Sequence, residues 1–309
     1  MNRAFIFPGQ GAQTIGMGKD FYGNFKVAKS VYEELNDRLD YNLSEIIFNG
    51  PDEELSLTDN TQPALMATSI AMLNVLLDSL KKTLPDLCSY VAGHSLGEYT
   101  ALHAAGSIDF ATTAQLLKLR GAAMKNACEP GKGAMAACLG VSLSNLEQIT
   151  EDAGCEIAND NIEGQVVISG LTESVDYAIS ILKDLGAKAI KLKVSGPFHS
   201  ALMKPAENIM SEPLKGTKFK TPSVHLIANV LADICDDPNQ IPINLINQIC
   251  ARVRWRETLD RLASLGVTEV VEIGPSKVLT NMIKKTGHKF KLTNISNIHE
   301  MEEFLKQEA

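Results

Sequence analysis

Residues 89–106 read SYVAGHSLGEYTALHAAG and set Ser95 between Gly93 and Gly97, a G-x-S-x-G pattern that follows a short apolar run and opens a stretch of helical period. In that context the pattern has a mechanical meaning. The turn is too tight for side chains at the flanking positions, which would collide with the strand or the helix, and the serine hydroxyl is presented outward. A helix beginning at such a turn aims its free N–H groups and its positive end at the serine, which favours an oxyanion beside it. The chemistry this suggests is nucleophilic attack on an acyl carbon. A serine in a strand-to-helix turn also suits plain helix capping, and the five-residue pattern alone does not separate the two readings.

A serine hydroxyl is a poor nucleophile at neutral pH, so attack requires a base. His199, in the Gly/Pro-bounded loop SGPFHSALMKP, is the best placed of the six histidines. His94 adjoins the serine, but neighbours at a sharp turn point apart; His103 lies two turns into the helix, and His225 follows Pro222 at a strand start. A histidine met alone is otherwise read as structural. The first loop, FPGQGAQTIGMGKD, looks like a phosphate cradle and fails both tests for one: Thr14 stands where a dinucleotide site needs glycine, and Met17 where a P-loop needs lysine. What remains is a glycine-rich strand-to-helix turn. It is either a simple tight turn or a second source of N–H groups that completes an oxyanion hole with the N–H of Leu96.

Arg120 stands out by placement. Leu116, Arg120, Ala123, Met124 and Ala127 follow the spacing i, i+4, i+7, i+8, i+11, which puts a guanidinium in the middle of an apolar helix face while Lys118 and Lys125 lie off it. A buried cation needs a partner, so Arg120 pairs with an internal carboxylate, waits for one from a ligand, or snorkels out from the edge of the stripe. Its planar fork can grip a carboxylate through two parallel bonds.

These residues need a frame. Apolar runs at Phe5 to Phe7, Tyr90 to Ala92, Val224 to Ala228 and Val267 to Ile273 alternate with longer helical segments, which predicts the α/β class with a mainly parallel sheet. Between residues 128 and 196 the rhythm becomes β-α-β-β-α-β, the order of a ferredoxin-like unit, with a capping-box signal at Ser144 and Glu147 and a left-handed C-cap at Gly186. The reading is a core of residues 1–127 and 197–309 with an inserted subdomain of residues 128–196. The 309 residues are 45% hydrophobic with a net charge of −8, so no global basic field exists to hold nucleic acid or an anionic membrane. Six cysteines, none in a C-x-x-C pair, suggest neither a zinc site nor a disulfide framework and fit a cytoplasmic protein. The N-terminal apolar run is too short for a signal peptide. The most apolar helix, Ala64 to Leu80, is interrupted by Thr68, Ser69, Asn74 and Asp78 and suits a buried core helix better than a bilayer span.

Taken together, FPGQGAQ, GHSLGEYTAL, LRGAAM, GAMAACLG, NDNIEGQVVISG, VSGPFHSALM, QICARVRW and EIGPSKVL resemble the malonyl-CoA:acyl carrier protein transacylase family of type II fatty acid synthesis, in order and over nearly the whole chain. The resemblance implies an α/β-hydrolase-like core with an inserted ferredoxin-like subdomain. It implies that Ser95 is the nucleophile, His199 its base, Arg120 the clamp for the malonyl carboxylate, and the N–H groups of Gln10 and Leu96 the oxyanion hole. Gln248 matches the glutamine whose backbone carbonyl orients the histidine, and Phe198 the bulky residue of malonyl-specific members. Asp109, Asp152, Asp160, Asp176 and Asp184 lie between Ser95 and His199, where Ser-Asp-His hydrolases place their acid, so an acidic third member stays open. Arg252 stands where the family usually has proline, and Ser276 where it commonly has glycine.

The implied reaction is ping-pong transfer of malonyl from malonyl-CoA to the pantetheine thiol of acyl carrier protein, with coenzyme A as leaving group, no cofactor and no metal. A monomer is expected, with no nucleic-acid or membrane partner. An acidic carrier calls for a basic landing surface, for which Lys188, Lys191 and Lys193, or Lys284, Lys285, Lys289 and Lys291, are candidates. The rival readings are a serine esterase or thioesterase using the same pair, and a nucleotide-binding module built on the first loop.

Overall fold

Each residue of β1 (Arg3–Phe7) is buried, and its side chains divide by the two-residue period of a strand: Phe5 and Phe7 join one apolar cluster while Ala4 and Ile6 join another. A strand with two apolar faces belongs in the interior of a sheet covered on both sides. β1 is the third strand of six. In the computed structural model, which describes residues 2–308, it pairs in parallel with β2 (Tyr90–Gly93) on one side and, across the other, with a strand from the C-terminal part of the chain.

The remaining strands, in chain order, are β3 (Gly133–Leu139), β4 (Glu156–Ile162), β5 (Gln165–Leu171), β6 (Lys188–Lys191), β7 (His225–Ala228), β8 (Asp233–Ile234), β9 (Glu269–Ile273) and β10 (Lys291–Ile295). The large sheet has the order β10-β9-β1-β2-β7-β8 and is parallel except at the short edge strand β8. A separate sheet, β4-β5-β3-β6, is antiparallel throughout and carries its own apolar cluster with the helices Leu143–Ala153 and Thr172–Asp184. The fold is therefore mixed α/β with a mainly parallel sheet and a distinct antiparallel one.

Several local expectations shift. The first helix of the small unit is capped by Ser142, whose hydroxyl accepts from Asn145 N at 3.3 Å, and Ser144 lies inside the helix instead. A serine two residues earlier has the extended backbone that a cap requires (φ −68°, ψ 152°). Gly186 has φ 75°, as a left-handed C-cap needs. The long apolar helix runs from Thr58 to Leu80. By length and composition it can cross a membrane, yet 72% of its apolar window is buried within the protein, against the helices Lys26–Leu39 and Phe110–Asn126.

The small sheet is fastened through β4 to residues 253–256, where Val253 and Trp255 share an apolar cluster with Ala4 and Ile6 of β1. Asp160 N donates to Val253 O at 3.0 Å, and Val253 N to Ala158 O at 2.8 Å. Asp160 is wholly buried, and Arg256 grips its carboxylate through two nitrogens, Nε at 3.1 Å and Nη2 at 2.8 Å. Removing one partner of a buried pair leaves the other charged and unsolvated. Arg256→Ala is expected to lower stability by about 3 kcal/mol; a shift of the urea midpoint measures it, and a midpoint within error of the unaltered protein would contradict the fastening role.

Candidate active site

β2 ends in Gly93, and the helix Gly97–Ala104 starts four residues later. The turn closes so tightly that a Cβ on Gly93 would lie 1.9 Å from the backbone of Gly97, and one on Gly97 would lie 2.4 Å from Phe7 O. Between them Ser95 takes φ 53°, the left-handed region that side chains avoid. Ser95 is thus not the helix cap, because Leu96 precedes the first helical residue. Asn229, just past β7, holds the turn: its Oδ1 accepts from Ser95 N at 2.8 Å and its Nδ2 donates to Gly93 O at 2.6 Å.

His199 also has a left-handed backbone, φ 56°. Its Nε2 is 2.9 Å from Ser95 Oγ, and its Nδ1 is 2.9 Å from Gln248 O and 3.2 Å from Ala251 O. Two main-chain carbonyls at Nδ1 place the ring proton there and leave Nε2 free to accept from the serine. None of the five candidate aspartates occupies that position. Asp109 caps the helix Phe110–Asn126, Asp152 accepts from Gln148, Asp160 holds Arg256, and Asp176 pairs with Lys191. Burial first, then the charge of Arg120, pushes the His199 imidazole down to about 3, against the pull of the two carbonyls. The ring is neutral and able to accept a proton at any pH near neutrality.

Arg120 is buried in the middle of its helix, with its guanidinium over the ring of Tyr99 at 5.7 Å. Nη1 donates to Gln62 Oε1 at 2.8 Å, Nη2 to Gln248 Oε1 at 2.9 Å and to Ser95 Oγ at 3.2 Å, and Nε is buried without a partner. Among the described residues no carboxylate touches it. Lys118 and Lys125, off the stripe, pair with Asp59. One cavity of about 430 Å³ is lined by Ser95, His199 and Arg120 together with Gln10, Leu96 and Phe198, a size that suits a small acyl group with part of its carrier. Gln248 reaches the same centre through its side chain as well as its carbonyl.

Other features escaped the sequence. His94 does not point away: it lines the same cavity, with Nε2 2.8 Å from Asn161 Oδ1 on β4. Glu98 is buried, and its Oε2 accepts from Gln248 Nε2 at 2.7 Å and Asn229 N at 3.0 Å. Gln62 sits in an apolar helix ahead of a proline. The only local signals were polar residues at buried positions: Asn229 after the run HLIA, and an acid in the first helical turn, which reads as ordinary dipole compensation. Arg252, in place of a proline, donates from Nη1 to Glu147 Oε1 at 3.1 Å and so ties the segment after Gln248 to the small unit.

A hydroxyl shared by a neutral imidazole and a guanidinium, at the carboxyl ends of parallel strands, is an arrangement chemically able to carry out acyl transfer. The chain belongs to the acyl transferase domain family, whose model matches residues 4–303. Over 300 residues it is 44% identical to the malonyl CoA-acyl carrier protein transacylase of Bacillus subtilis, covering 95% of this chain and 93% of that one. An acyl-carrier-protein S-malonyltransferase structure from Bartonella henselae superposes with a TM-score of 0.96 at 44% identity, covering 99% of each chain. A malonyl-transacylase in complex with its type II PKS acyl-carrier protein does so with a TM-score of 0.94 at 36% identity, again over 99% of each.

Burial raises the Glu98 carboxyl to about 7, while Asn229 N–H, the Gln248 amide and the Arg120 charge pull it down. The folded value exceeds the ordinary 4.5, so the stability that protonation supplies is complete below that value and is lost as pH rises through about 7. Glu98→Gln, which cannot ionise, is expected to gain on the unaltered protein between about pH 5 and about pH 8, by on the order of 3 kcal/mol at the upper end. Denaturant midpoints at the two pH values measure the gain; a difference that does not change with pH would refute a buried ionisation.

Proposed function

We propose that this protein is an [acyl-carrier-protein] S-malonyltransferase, moving malonyl from malonyl-CoA to the pantetheine thiol of acyl carrier protein and so supplying fatty acid elongation. The observation that carries this reading is the position of an unpaired guanidinium, Arg120 Nη2, 3.2 Å from the Ser95 hydroxyl. That separation suits an acyl group with a carboxylate one methylene away from the carbon under attack. The relatives named as transacylases favour transfer over hydrolysis.

In the proposed mechanism Ser95 Oγ attacks the thioester carbon and gives its proton to His199 Nε2. The oxyanion is held by the N–H groups of Gln10 and Leu96. The intermediate collapses, the C–S bond breaks, and the coenzyme A thiolate takes the proton from His199. The carrier thiol then passes its proton to the same nitrogen and attacks the malonyl-serine ester, and Ser95 leaves with that proton. Gln248 and Ala251 carbonyls hold the imidazole throughout, and Phe198 walls the acyl pocket. This chemistry runs on side chains and main-chain amides of the chain itself, with coenzyme A only as leaving group.

The same proposal takes residues 1–127 and 197–309 as an α/β-hydrolase-like core and residues 128–196 as a ferredoxin-like insert; the 4-1-3-2 order of the four antiparallel strands supports the latter. It takes the protein as a cytoplasmic monomer, in keeping with six free cysteines. Of the basic candidates for carrier docking, Lys193 lines the cavity, whereas Lys191 and Lys291 are paired with Asp176 and Glu269. The cavity-side lysine is the preferred contact.

Incubation with malonyl-CoA without carrier is expected to yield a malonyl adduct in intact-protein mass spectra that Ser95→Ala abolishes; an adduct that persists in the mutant would remove Ser95 from its role. Arg120→Ala should lose malonyl transfer by roughly a hundredfold or more while keeping or gaining transfer of acetyl. Parallel rates with both acyl-CoA donors test this, and equal loss for both would refute the clamp.

A further inference from the structure

The partners of Arg120 are all neutral. Gln62 and Gln248 each turn an amide oxygen to one end of the guanidinium fork, at 2.8 and 2.9 Å, and the serine hydroxyl takes the third bond. Gln62 is 1% exposed, and its Nε2 faces Met124 Sδ at 3.8 Å, so the amide is oriented with its oxygen to the cation. The acid of this network, Glu98, stands behind Gln248 and binds the opposite end of that amide at 2.7 Å. Glu98 Oε2 accepts from Gln248 Nε2, which fixes Gln248 with its NH2 away from Arg120 and its oxygen toward it.

Amide oxygens orient a guanidinium without cancelling its charge, whereas a carboxylate in the same place would do both. A buried cation left uncancelled is costly, and an internal acid is the usual remedy. Here the acid is held one amide away, so the charge is opposed at a distance while the fork stays open to an incoming carboxylate.

We propose that Gln62 is a specificity-determining residue: as a neutral partner of the same length as glutamate, it orients Arg120 toward the reacting serine while leaving the cation unpaired, and this selects acyl groups that bring their own carboxylate. The proposal rests on the reading of Arg120 as the clamp. It adds that selectivity depends on the absence of charge at position 62 as much as on its presence at 120. A carboxylate at 62 would pair with Nη1, repel an acidic acyl group and spare a neutral one the cost of burying an unmatched cation.

The test compares acylation of Ser95 by malonyl-CoA and by acetyl-CoA, using rapid quench and intact mass, in the unaltered protein, Gln62→Glu and Gln62→Met. For Gln62→Glu the ratio of malonyl to acetyl rates is expected to fall by about a hundredfold or more. Gln62→Met removes the acceptor without adding charge, and its ratio should fall by only about tenfold. An unchanged ratio in Gln62→Glu, or equal loss of both acyl groups in a variant that keeps its thermal transition, overturns the proposal. If Gln62→Glu does not fold, an unchanged ratio in Gln62→Met overturns it instead. Absence of malonyl acylation in the unaltered protein would fall on the clamp reading itself, and so separates the two failures.

Discussion

The site is built around a buried guanidinium whose fork meets no anion among the described residues. Placing Arg120 in the interior costs free energy that surface placement would not, and burial pulls the group below its ordinary value, with Tyr99 and Glu98 acting against that pull. Three helices from distant parts of the chain share the task of holding it. Phe110–Asn126 carries the arginine, Thr58–Leu80 brings Gln62, and Ile241–Gln248 brings Gln248. The close fit of the first two is visible at Gly121, where a Cβ would fall 2.5 Å from the backbone of Thr58 and Asp59. The same charge faces His199 and, after burial, lowers its basicity, so the cation helps keep the imidazole free of its proton.

Gln248 joins these parts. Its carbonyl accepts from the imidazole, its amide oxygen from Arg120, and its amide nitrogen donates to Ser95 O at 3.1 Å and to Glu98. Ser95 and His199 both sit in left-handed backbone conformations, which persist only where surrounding bonds over-determine them. Asn229 and Gln248 supply those bonds to the serine turn, and both are in turn anchored on Glu98. The buried carboxylate is therefore part of the scaffold that keeps two strained residues in register.

The small antiparallel sheet completes the cavity. Met135, Asn159 and Leu192 line it from that side, and Asn161 fixes the ring of His94 at the edge of the serine turn. Thr58 Oγ1 meets Ser195 Oγ at 2.7 Å, which joins the long buried helix to the segment that leads back from the small sheet to His199. The position of His199 thus depends on how the small sheet docks, through Val253 and the Arg256–Asp160 pair.

The sequence alone determined what local rules can encode. The glycines around Ser95 answer to a turn that no side chain fits, short apolar runs between segments of helical period announced sheet and helices, and Arg120 was conspicuous because a cation in an apolar stripe contradicts its surroundings. The resemblance in eight short motifs then attached roles to those positions. What only the tertiary structure decided is which polar groups face one another. The histidine's partner is a pair of carbonyls and not one of five nearby aspartates, the arginine's partners are amides and not an acid, and His94 faces the cavity. Backbone carbonyls have no side-chain signature, and an amide or a buried acid reads the same in sequence whether it touches solvent, a cap or a buried cation. Those contacts join residues up to 128 positions apart, and their chemistry exists only once packing has brought them within hydrogen-bond reach.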